Sequence, residues 1–469
     1  MLKITIDRVT SRLQHDPPTP ASTPPRTPSL ESDEWKPRVW NPACLPITPP
    51  PERGNPVDDK FAHSVEFSLL PSKISPQDEP CVAVIGIGYV GTHLVESFSS
   101  VYNVIGFDVS ERRISQLRDE ASPGNRVEYT TYRDDLRRAT HFLISVPTLL
   151  REDKTIDSSY LQSALETVSS HARPGATVVI ESSVAVGMTR SLLGPLCTSH
   201  RLFGGMSPER VDPGRTDPPM RSIPKVVSGL DQASLNSIAR LYAPVFDTLV
   251  QVSRPEVAEM MKLYENCQRM MNIAFANEMA DACLPHGIDP FEVSRAAATK
   301  PFGYMPFTPS VGVGGHCIPV NPFYLLSNCE FPLLKAAAEK MTVRPAEIAA
   351  RAIERVTGHH GKSTSQSVLL PRVLVVGVGF KAGQSVLSNS PGLELATTLA
   401  RSGRVEVMFA DPLVKQEAVP HVQRLPDRDW TRENLEKSFD MIIVAFKQVG
   451  IDFDVLADLN GVEVEMWCR

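Results

Sequence analysis

The feature that most constrains the fold of this 469-residue chain is a glycine turn between an apolar segment and a helical segment. Residues 82–87 have the nearly continuous apolar pattern of a strand buried on both faces, and residues 92–101 have the pattern of a helix. Glycines stand between them at positions 86, 88 and 91, and Asp108 ends the next predicted strand, 22 residues after Gly86. This arrangement is typical of a dinucleotide-binding βαβ unit.

Each part of this unit has a physical role in cofactor binding. Gly86 permits the tight turn, Gly88 lets the backbone approach a pyrophosphate, and Gly91 lets the helix pack closely on the strand. The helix N-terminus offers free N–H groups to the phosphates, and Asp108 can accept hydrogen bonds from ribose hydroxyls. The acidic residue favours NAD over NADP, because it would repel a 2′-phosphate.

Polar residues also follow two further predicted strands. Pro147 and Thr148 come after the strand at 141–146, and Glu181 comes after the strand at 177–180. Open α/β sheets place ligands at the carboxyl ends of their strands, although from spacing alone a plain turn is an equal alternative. The predicted NAD-binding residues are therefore Gly86, Gly88, Tyr89, Val90, Gly91, Asp108, Pro147, Thr148 and Glu181.

The order of predicted elements indicates an α/β fold. Alternating strands and helices predict a parallel, doubly wound sheet, followed by a long helix at 255–282 and another at 333–356. A second strand–glycine turn–helix unit begins at residue 372. The predicted architecture is an N-terminal Rossmann NAD-binding domain at 79–252, a central helical domain at 253–360 and a smaller Rossmann-like domain at 361–469.

Residues 1–78 have a different composition and form a predicted proline-rich tail. Residues 1–80 hold 16 of the 41 prolines and few large apolar residues, so disorder is expected over residues 13–78. A polyproline ligand for a partner domain is the alternative interpretation.

Composition excludes several other classes of function. The net charge of -6 gives no reason to expect nucleic acid as a partner, and the apolar runs are too short to cross a membrane. The eight cysteines contain no Cys-x-x-Cys pair, so neither a metal site nor a disulfide framework is expected. Free thiols and a polar N-terminus without a secretory signal predict a cytoplasmic protein.

A lone cysteine at the end of a glycine-rich loop suggests covalent chemistry. Cys317 follows Gly314 and Gly315, and this flexible turn suits an exposed thiol better than a core position, although a free cysteine is usually a small buried hydrophobe. A thiol beside a nicotinamide can trap an aldehyde, so that a primary alcohol could be oxidised twice in one site.

Lys262 and Asn266 lie four residues apart on the long helix and therefore share a face. Together they could stabilise an oxyanion or hold a water, and the lysine would favour the thiolate form of a nearby cysteine. The alternative is a solvated charge on an amphipathic helix.

Together these residues resemble the UDP-glucose/GDP-mannose dehydrogenase family over about residues 82–446. The similarity is closest to the branch that oxidises UDP-N-acetylhexosamines such as UDP-GlcNAc or UDP-ManNAc. The strings that carry it are residues 85–91, 145–148, 181–183, 207–214, 262–278, 298–303 and 314–324.

The resemblance implies a mechanism in which two NAD are reduced per UDP-sugar. Cys317 matches the nucleophile that captures the sugar aldehyde as a thiohemiacetal, which a second hydride transfer converts to a thioester. Lys262 and Asn266 match the residues that bind the C6 oxygen, and Glu209 matches the glutamate implicated in thioester hydrolysis. The implied catalytic residues are Cys317, Lys262, Asn266, Glu209, Ser183 (where the family usually has threonine) and Asn321.

The resemblance also implies how the substrate and a second subunit are bound. The C-terminal domain would bind the nucleotide sugar, with Lys300, Gly315 and Lys381 as substrate-binding residues. Members of the family are usually homodimers or larger oligomers built through the long central helix.

Two positions depart from the family pattern. Asn321 stands where the family has an aspartate that helps to activate the thiol, and Ser388 stands where it has an arginine. These departures motivate a second hypothesis, a catalytically impaired member that binds NAD or a nucleotide sugar in a regulatory or structural role. A one-step hydroxyacid dehydrogenase is a third, against which the second α/β domain and the cysteine loop argue.

Overall fold

The computed structural model describes residues 79–121, 126–212, 217–360 and 370–468. Within these residues, two parallel-stranded sheets are connected by long helices, so the predicted α/β architecture is confirmed. The predicted disordered tail, 13–78, lies outside the described residues, and the predicted domain boundaries stay predictions.

The first half of the described chain contributes ten strands. They are β1 (Cys81–Ile85), β2 (Asn103–Phe107), β3 (Val127–Thr130), β4 (His141–Ile144), β5 (Leu149–Leu150), β6 (Ile156–Asp157), β7 (Thr177–Ile180), β8 (Phe203–Met206), β9 (Lys225–Gly229) and β10 (Leu249–Gln251). Eight of them form one sheet in the order β10-β9-β8-β7-β4-β1-β2-β3, and β5 pairs with β6 in a short antiparallel ribbon.

One pairing in the large sheet breaks the predicted parallel pattern. Strands β8 and β9 run antiparallel, with Gly205 opposite Gly229 and Met206 opposite Ser228. All other pairs in this sheet are parallel. The start of β9 therefore lies at the edge where the parallel strands end, and this edge is where ligands bind in such sheets.

The described residues form eleven α-helices beside the strands. They are α1 (Tyr89–Ser99), α2 (Glu111–Glu120), α3 (Ser159–His171), α4 (Met188–His200), α5 (Gln232–Tyr242), α6 (Pro255–Cys283), α7 (Pro290–Ala297), α8 (Asn321–Leu326), α9 (Pro332–His360), α10 (Pro391–Arg401) and α11 (Arg432–Ser438). None of the described helices is long and apolar enough to cross a membrane.

The first sheet is buried on both faces, as the apolar run of β1 predicts. Val82 and Val84 belong to one core layer, while Ala83 and Ile85 belong to the layer on the opposite face. This alternation follows from the two-residue period of a strand. Helices pack on both faces, so the functional groups of the sheet are exposed only at its carboxyl edge.

The long helices α6 and α9 pack against each other between the two sheets. Pro255 is at the first turn of α6, where its missing N–H costs nothing, and residues 255–283 bury one face along the helix. The fully buried Arg344 of α9 donates to the Asp281 carboxylate of α6 at 2.6 Å. The buried face of α6 points toward α8 and the cysteine loop.

The second sheet is smaller and entirely parallel. Its strands are β11 (Arg372–Val376), β12 (Glu406–Ala410), β13 (Gln423–Arg424), β14 (Met441–Val444) and β15 (Glu463–Met466), in the order β13-β12-β11-β14-β15. The segment between β11 and α10 includes a glycine turn and a further loop, residues 380–390, which reaches the cysteine loop.

Candidate active site

The glycine turn after β1 has the geometry that the prediction requires. Gly86 has a φ of +89°, a conformation that favours glycine. A Cβ on Gly91 would lie 2.0 Å from the Gly86 carbonyl oxygen, so only glycine lets α1 pack this closely on the turn. A Cβ on Gly88 would meet nothing within 4 Å, which leaves open space where a pyrophosphate would lie.

Asp108 lies beside this turn, as predicted. One of its carboxylate oxygens accepts from the Ile87 N–H at 2.9 Å, and the other accepts from the Ser110 N–H at 2.9 Å. Helix α1 begins with Tyr89 and Val90 and has no acidic residue in its first turn. The helix N-terminus is therefore available to the phosphates of a dinucleotide, and the Asp108 carboxylate lies beside it, where a ribose hydroxyl could bind. These residues fit NAD.

The loops after β4 and β7 meet at the carboxyl edge of the sheet. The Thr148 hydroxyl donates to the Ser183 carbonyl oxygen at 2.8 Å, and the Ser182 hydroxyl donates to the Val146 carbonyl oxygen at 2.6 Å. The two strand-end segments, including Pro147, are thus tied into one surface next to the glycine turn.

Helix α6 presents three polar residues on its buried face. Glu259, Lys262 and Asn266 are 0%, 9% and 8% exposed. The Glu259 carboxylate accepts from the N–H groups of Gly187 and Thr189 at 2.6 and 2.8 Å, which joins the loop after Ser183 to α6. The interpretation of Lys262 as a solvated surface charge is therefore wrong.

The environment of Lys262 alters its titration. Burial lowers the pKa of its ammonium below the ordinary value, while the Cys317 thiol, Glu265 and Glu209 act in the opposite direction. Lys262 is therefore coupled electrostatically to both Cys317 and Glu209.

The cysteine loop is held by the 380–390 loop of the second sheet. The Gly315 N–H donates to the Ser388 carbonyl oxygen at 3.0 Å, and the Asn389 amide donates to the Gly315 carbonyl oxygen at 2.9 Å. Gly315 has a φ of +90°, and a Cβ on it would lie 3.0 Å from the Phe380 ring. The glycine is thus required by conformation and by contact, and Ser388 acts here through its backbone.

Cys317 is exposed at the end of this loop, yet the surrounding protein partly desolvates its thiol. This desolvation raises its pKa above the ordinary value, and Asp212 adds to the effect. Lys262 acts in the opposite direction but is outweighed. Lys262 thus favours the thiolate form of Cys317, as expected, but desolvation has the larger effect on the Cys317 pKa.

Asn321 is directly connected to the predicted oxyanion-binding residue. It is 2% exposed, and its amide oxygen accepts from the Asn266 amide at 2.5 Å. Its backbone N–H donates to the Cys317 carbonyl oxygen at 2.9 Å. Asn321 therefore links the cysteine loop to α6.

The two predicted substrate-binding lysines, Lys300 and Lys381, have different surroundings. Lys381 forms an ion pair of 3.2 Å with Asp212, which also raises the Cys317 pKa, and Lys381 lies on the loop that contacts Gly315. Lys300 is exposed after α7, with its ammonium 5.1 Å from the centre of the Phe302 ring. Its contact with substrate stays a prediction.

Glu209 and Glu181, which were predicted separately, are joined by a residue that sequence reasoning missed. The Lys225 ammonium lies 2.9 Å from a Glu209 oxygen and 2.7 Å from a Glu181 oxygen, and Tyr242 donates to the other Glu181 oxygen. The Glu181 carboxylate is thus in the interior rather than on the cofactor surface. A lysine directly before two valines of a buried strand is the one local signal that could have identified Lys225.

Comparison with known protein families gives two matches along this chain. Residues 81–246 match the UDP-glucose/GDP-mannose dehydrogenase family, NAD binding domain, and residues 256–341 match the central domain of the same family. The NAD-binding match covers the sheet and the glycine turn, and the central match covers α6 and the cysteine loop. NAD is therefore the cofactor of this domain.

Individual relatives agree with these matches. The UDP-N-acetyl-D-glucosamine 6-dehydrogenase of Pseudomonas aeruginosa is 32% identical over 368 residues, which cover 72% of this chain and 84% of the relative. The UDP-N-acetyl-D-mannosamine dehydrogenase of Pyrococcus horikoshii is 30% identical over 361 residues, 71% of this chain and 84% of the relative.

A solved structure extends the similarity to the fold. The UDP-D-ManNAc dehydrogenase of Pyrococcus horikoshii superimposes with a TM-score of 0.70 and 26% identity, over 82% of this chain and 99% of that chain. The family matches cover the segments that contain the NAD-binding turn and the cysteine loop, and the individual relatives belong to the same class of enzyme. The chain belongs to the UDP-glucose/GDP-mannose dehydrogenase family.

Proposed function

We propose that this chain oxidises the C6 hydroxyl of a UDP-N-acetylhexosamine to the acid in two NAD-dependent steps on Cys317. The observation that carries this proposal is the exposed Cys317 on a loop that Asn321 joins to Asn266, one turn of α6 from the buried Lys262. The names of the relatives support the sugar class, since they act on UDP-GlcNAc or UDP-ManNAc.

The first oxidation depends on binding the C6 oxygen. NAD, held by Gly86, Gly88 and Asp108, supplies the hydride acceptor. Lys262 and Asn266 bind the alcohol oxygen as its proton leaves, since a buried cation and an amide stabilise developing negative charge. The Cys317 thiol then adds to the aldehyde carbon and forms a thiohemiacetal, so the aldehyde stays in the site.

In the second oxidation the thiohemiacetal would give its C6 hydride to a second NAD and its hydroxyl proton to solvent, which leaves a thioester with the C6 oxygen still bound by Lys262 and Asn266. A water then attacks the thioester carbonyl carbon, and Glu209 is the base that accepts its proton. Ser183 and Thr148 lie on the neighbouring loop surface and are proposed to position the sugar beside NAD.

The second sheet is proposed to bind the nucleotide. Its 380–390 loop contacts Gly315 and carries Lys381, so bound nucleotide would lie next to the cysteine loop. Lys300, Gly315 and Lys381 are the proposed substrate contacts. The unit comprising residues 361–469 is the proposed nucleotide-sugar-binding domain.

We also propose a homodimer or larger oligomer through α6. Its face away from the site exposes apolar side chains at Val257, Met260, Tyr264, Phe275 and Met279. Such a stripe on one helix fits a second copy of the same helix. Light scattering should give a molar mass of at least two chains for the protein. Phe275→Arg should lower that molar mass toward the value of one chain. The cytoplasmic location stays a prediction.

A substrate panel tests the proposed function. Purified protein should reduce NAD with UDP-GlcNAc or UDP-ManNAc, and mass spectrometry should find the corresponding uronic acid. UDP-glucose should react more slowly, because the site would be shaped for the acetamido group. An aldehyde as the final product would contradict the proposal, as would NAD binding without reduction of NAD by any of these sugars.

A further inference from the structure

A buried lysine between two carboxylates lies at the carboxyl edge of the first sheet. Lys225 is 2% exposed, Glu181 is 1% exposed and Glu209 is 8% exposed. The Lys225 ammonium is 2.7 Å from Glu181 and 2.9 Å from Glu209, and it also lies 5.6 Å from the centre of the Phe246 ring. We name these three charged residues the Lys225 cluster.

The direction of β9 explains how Lys225 reaches this edge. The antiparallel register places Gly205 opposite Gly229 and Met206 opposite Ser228, and continuing it by three residues brings Glu209 opposite Lys225. The first residue of a parallel strand would lie at the opposite edge of the sheet. The antiparallel direction of β9 therefore places the Lys225 ammonium at the carboxyl edge of the sheet, where the other proposed catalytic groups lie.

Energetics indicate that the Lys225 cluster is not retained for stability alone. Removing charges from water is costly, and well-packed apolar residues usually stabilise a core at least as well as a buried ion pair. Here two buried carboxylates share one ammonium, so the charges of the cluster are not paired one to one. We therefore look for a functional role of the Lys225 cluster.

The two carboxylates respond differently to this environment. Burial raises the pKa of Glu181 to about 7, although Lys225 opposes the shift. Burial acts in the same direction on Glu209, but Lys225 and the N–H groups of Arg210 and Val211 outweigh it and lower the Glu209 pKa. Glu209 is thus the carboxylate that Lys225 keeps ionised.

Glu209 is fixed in place beside the proposed reaction centre. Its oxygens accept from the Arg210 N–H at 2.6 Å, the Val211 N–H at 2.9 Å and Lys225. A carboxylate has about four acceptor sites, so these three donors leave room for one water. The Arg210 guanidinium binds Glu265 of α6 at 2.5 Å, which holds this segment next to Lys262.

We propose that Lys225 is a positioning residue that keeps the Glu209 carboxylate ionised and oriented for cleavage of the thioester on Cys317. This inference rests on the proposed function. Water adds to the thioester carbonyl carbon while Glu209 accepts one of its protons. The C–S bond breaks, Glu209 passes that proton to the Cys317 sulfur, and the sugar acid releases its own proton to solvent.

The test separates the oxidation steps from hydrolysis. Lys225→Met should still reduce about two NAD per subunit in a first turnover. Later turnovers should be slow, with the steady-state rate reduced about 100-fold. Mass spectrometry of the intact protein should find the sugar acid attached to Cys317. Glu181→Gln/Lys225→Met also removes the Glu181 carboxylate, which would otherwise be buried without its cation, and should give the same result if Lys225→Met alone does not fold.

Lys340→Met is the matched control, because Lys340 also lies between two glutamates, Glu278 and Glu347, at 3.9 and 2.9 Å but is partly exposed. It should turn over like the unmodified protein. The proposal is overturned if the folded Lys225 variants turn over within about twofold of normal, or if the first turnover falls as much as the steady state. Lack of NAD reduction by the unmodified protein would instead contradict the proposed function.

Discussion

The side-chain amide of Asn266 donates a hydrogen bond of 2.5 Å to the amide oxygen of Asn321. This contact orients the proposed oxyanion-binding amide, and an aspartate at position 321 would accept the same bond. Asn321 therefore provides the orienting contact that an aspartate could also provide, but it supplies no base. The missing base matters because desolvation raises the pKa of the Cys317 thiol above its ordinary value.

Asn321→Asp should consequently increase the turnover rate of the protein without altering its structure. A carboxylate next to the cysteine loop can accept the thiol proton, and a positioned base contributes about 10²-fold or more. Rapid mixing with UDP-sugar and NAD should show faster formation of the second NADH. Asn321→Leu, which cannot accept from Asn266, should be slower than the unmodified protein. A slower Asn321→Asp variant would contradict this role.

The reactivity of Cys317 should rise with pH beyond the range of an ordinary thiol. Desolvation raises the pKa of the Cys317 thiol above its ordinary value, and Lys262 acts in the opposite direction. Alkylation by iodoacetamide should therefore still be accelerating at pH 9. Lys262→Met removes the opposing positive charge and should slow alkylation further at each pH. A thiol fully reactive at pH 7 would refute this electrostatic description.

Gly315→Ala should disable the site while leaving NAD binding intact. The new methyl group would lie 3.0 Å from the Phe380 ring and would disturb the loop that carries Cys317. Gly287→Ala is the matched control, because Gly287 also has a positive φ (+63°) but a Cβ there meets nothing within 4 Å. Both variants should lose about 1 kcal/mol of stability, and only Gly315→Ala should lose most of its turnover. Equal turnover in the two variants would show that the Phe380 contact is unimportant.

Asp108→Asn should weaken the preference for NAD over NADP. The carboxylate next to the glycine turn repels a 2′-phosphate, so its loss should reduce the NAD:NADP affinity ratio about tenfold. Asp411→Asn provides the comparison, since Asp411 accepts from the N–H groups of Val378 and Gly379 in the second glycine turn. It should leave the ratio unchanged in calorimetric titrations, and an equal effect of both substitutions would count against Asp108 as the selecting residue.

The parts of the fold that depend on local sterics could be predicted from the sequence. Gly86 and Gly91 are five residues apart, and their roles follow from a turn and a helix start that are fixed within one βαβ unit. The same holds for α6, where Pro255 sets the start and the spacing of Lys262 and Asn266 gives a shared face.

The remaining parts depend on contacts between distant segments. In the second glycine turn, a Cβ on Gly392 would lie 2.2 Å from the Gly377 carbonyl oxygen, so Gly392 has the role of Gly91 despite a separation of 15 residues. The partnership of Lys225 with Glu209 requires an antiparallel strand whose direction is not encoded locally. The raised pKa of the Cys317 thiol results from desolvation by the surrounding protein, which motif spacing does not report.

Product stoichiometry with and without the thiol tests the central claim most directly. The purified protein should form two NADH per UDP-N-acetylhexosamine consumed, with the uronic acid as the only sugar product. Cys317→Ser should form no acid, because an alkoxy ester cannot replace the thioester in the second oxidation and its hydrolysis. One NADH per sugar, or acid formation by Cys317→Ser at the normal rate, would contradict double oxidation on Cys317.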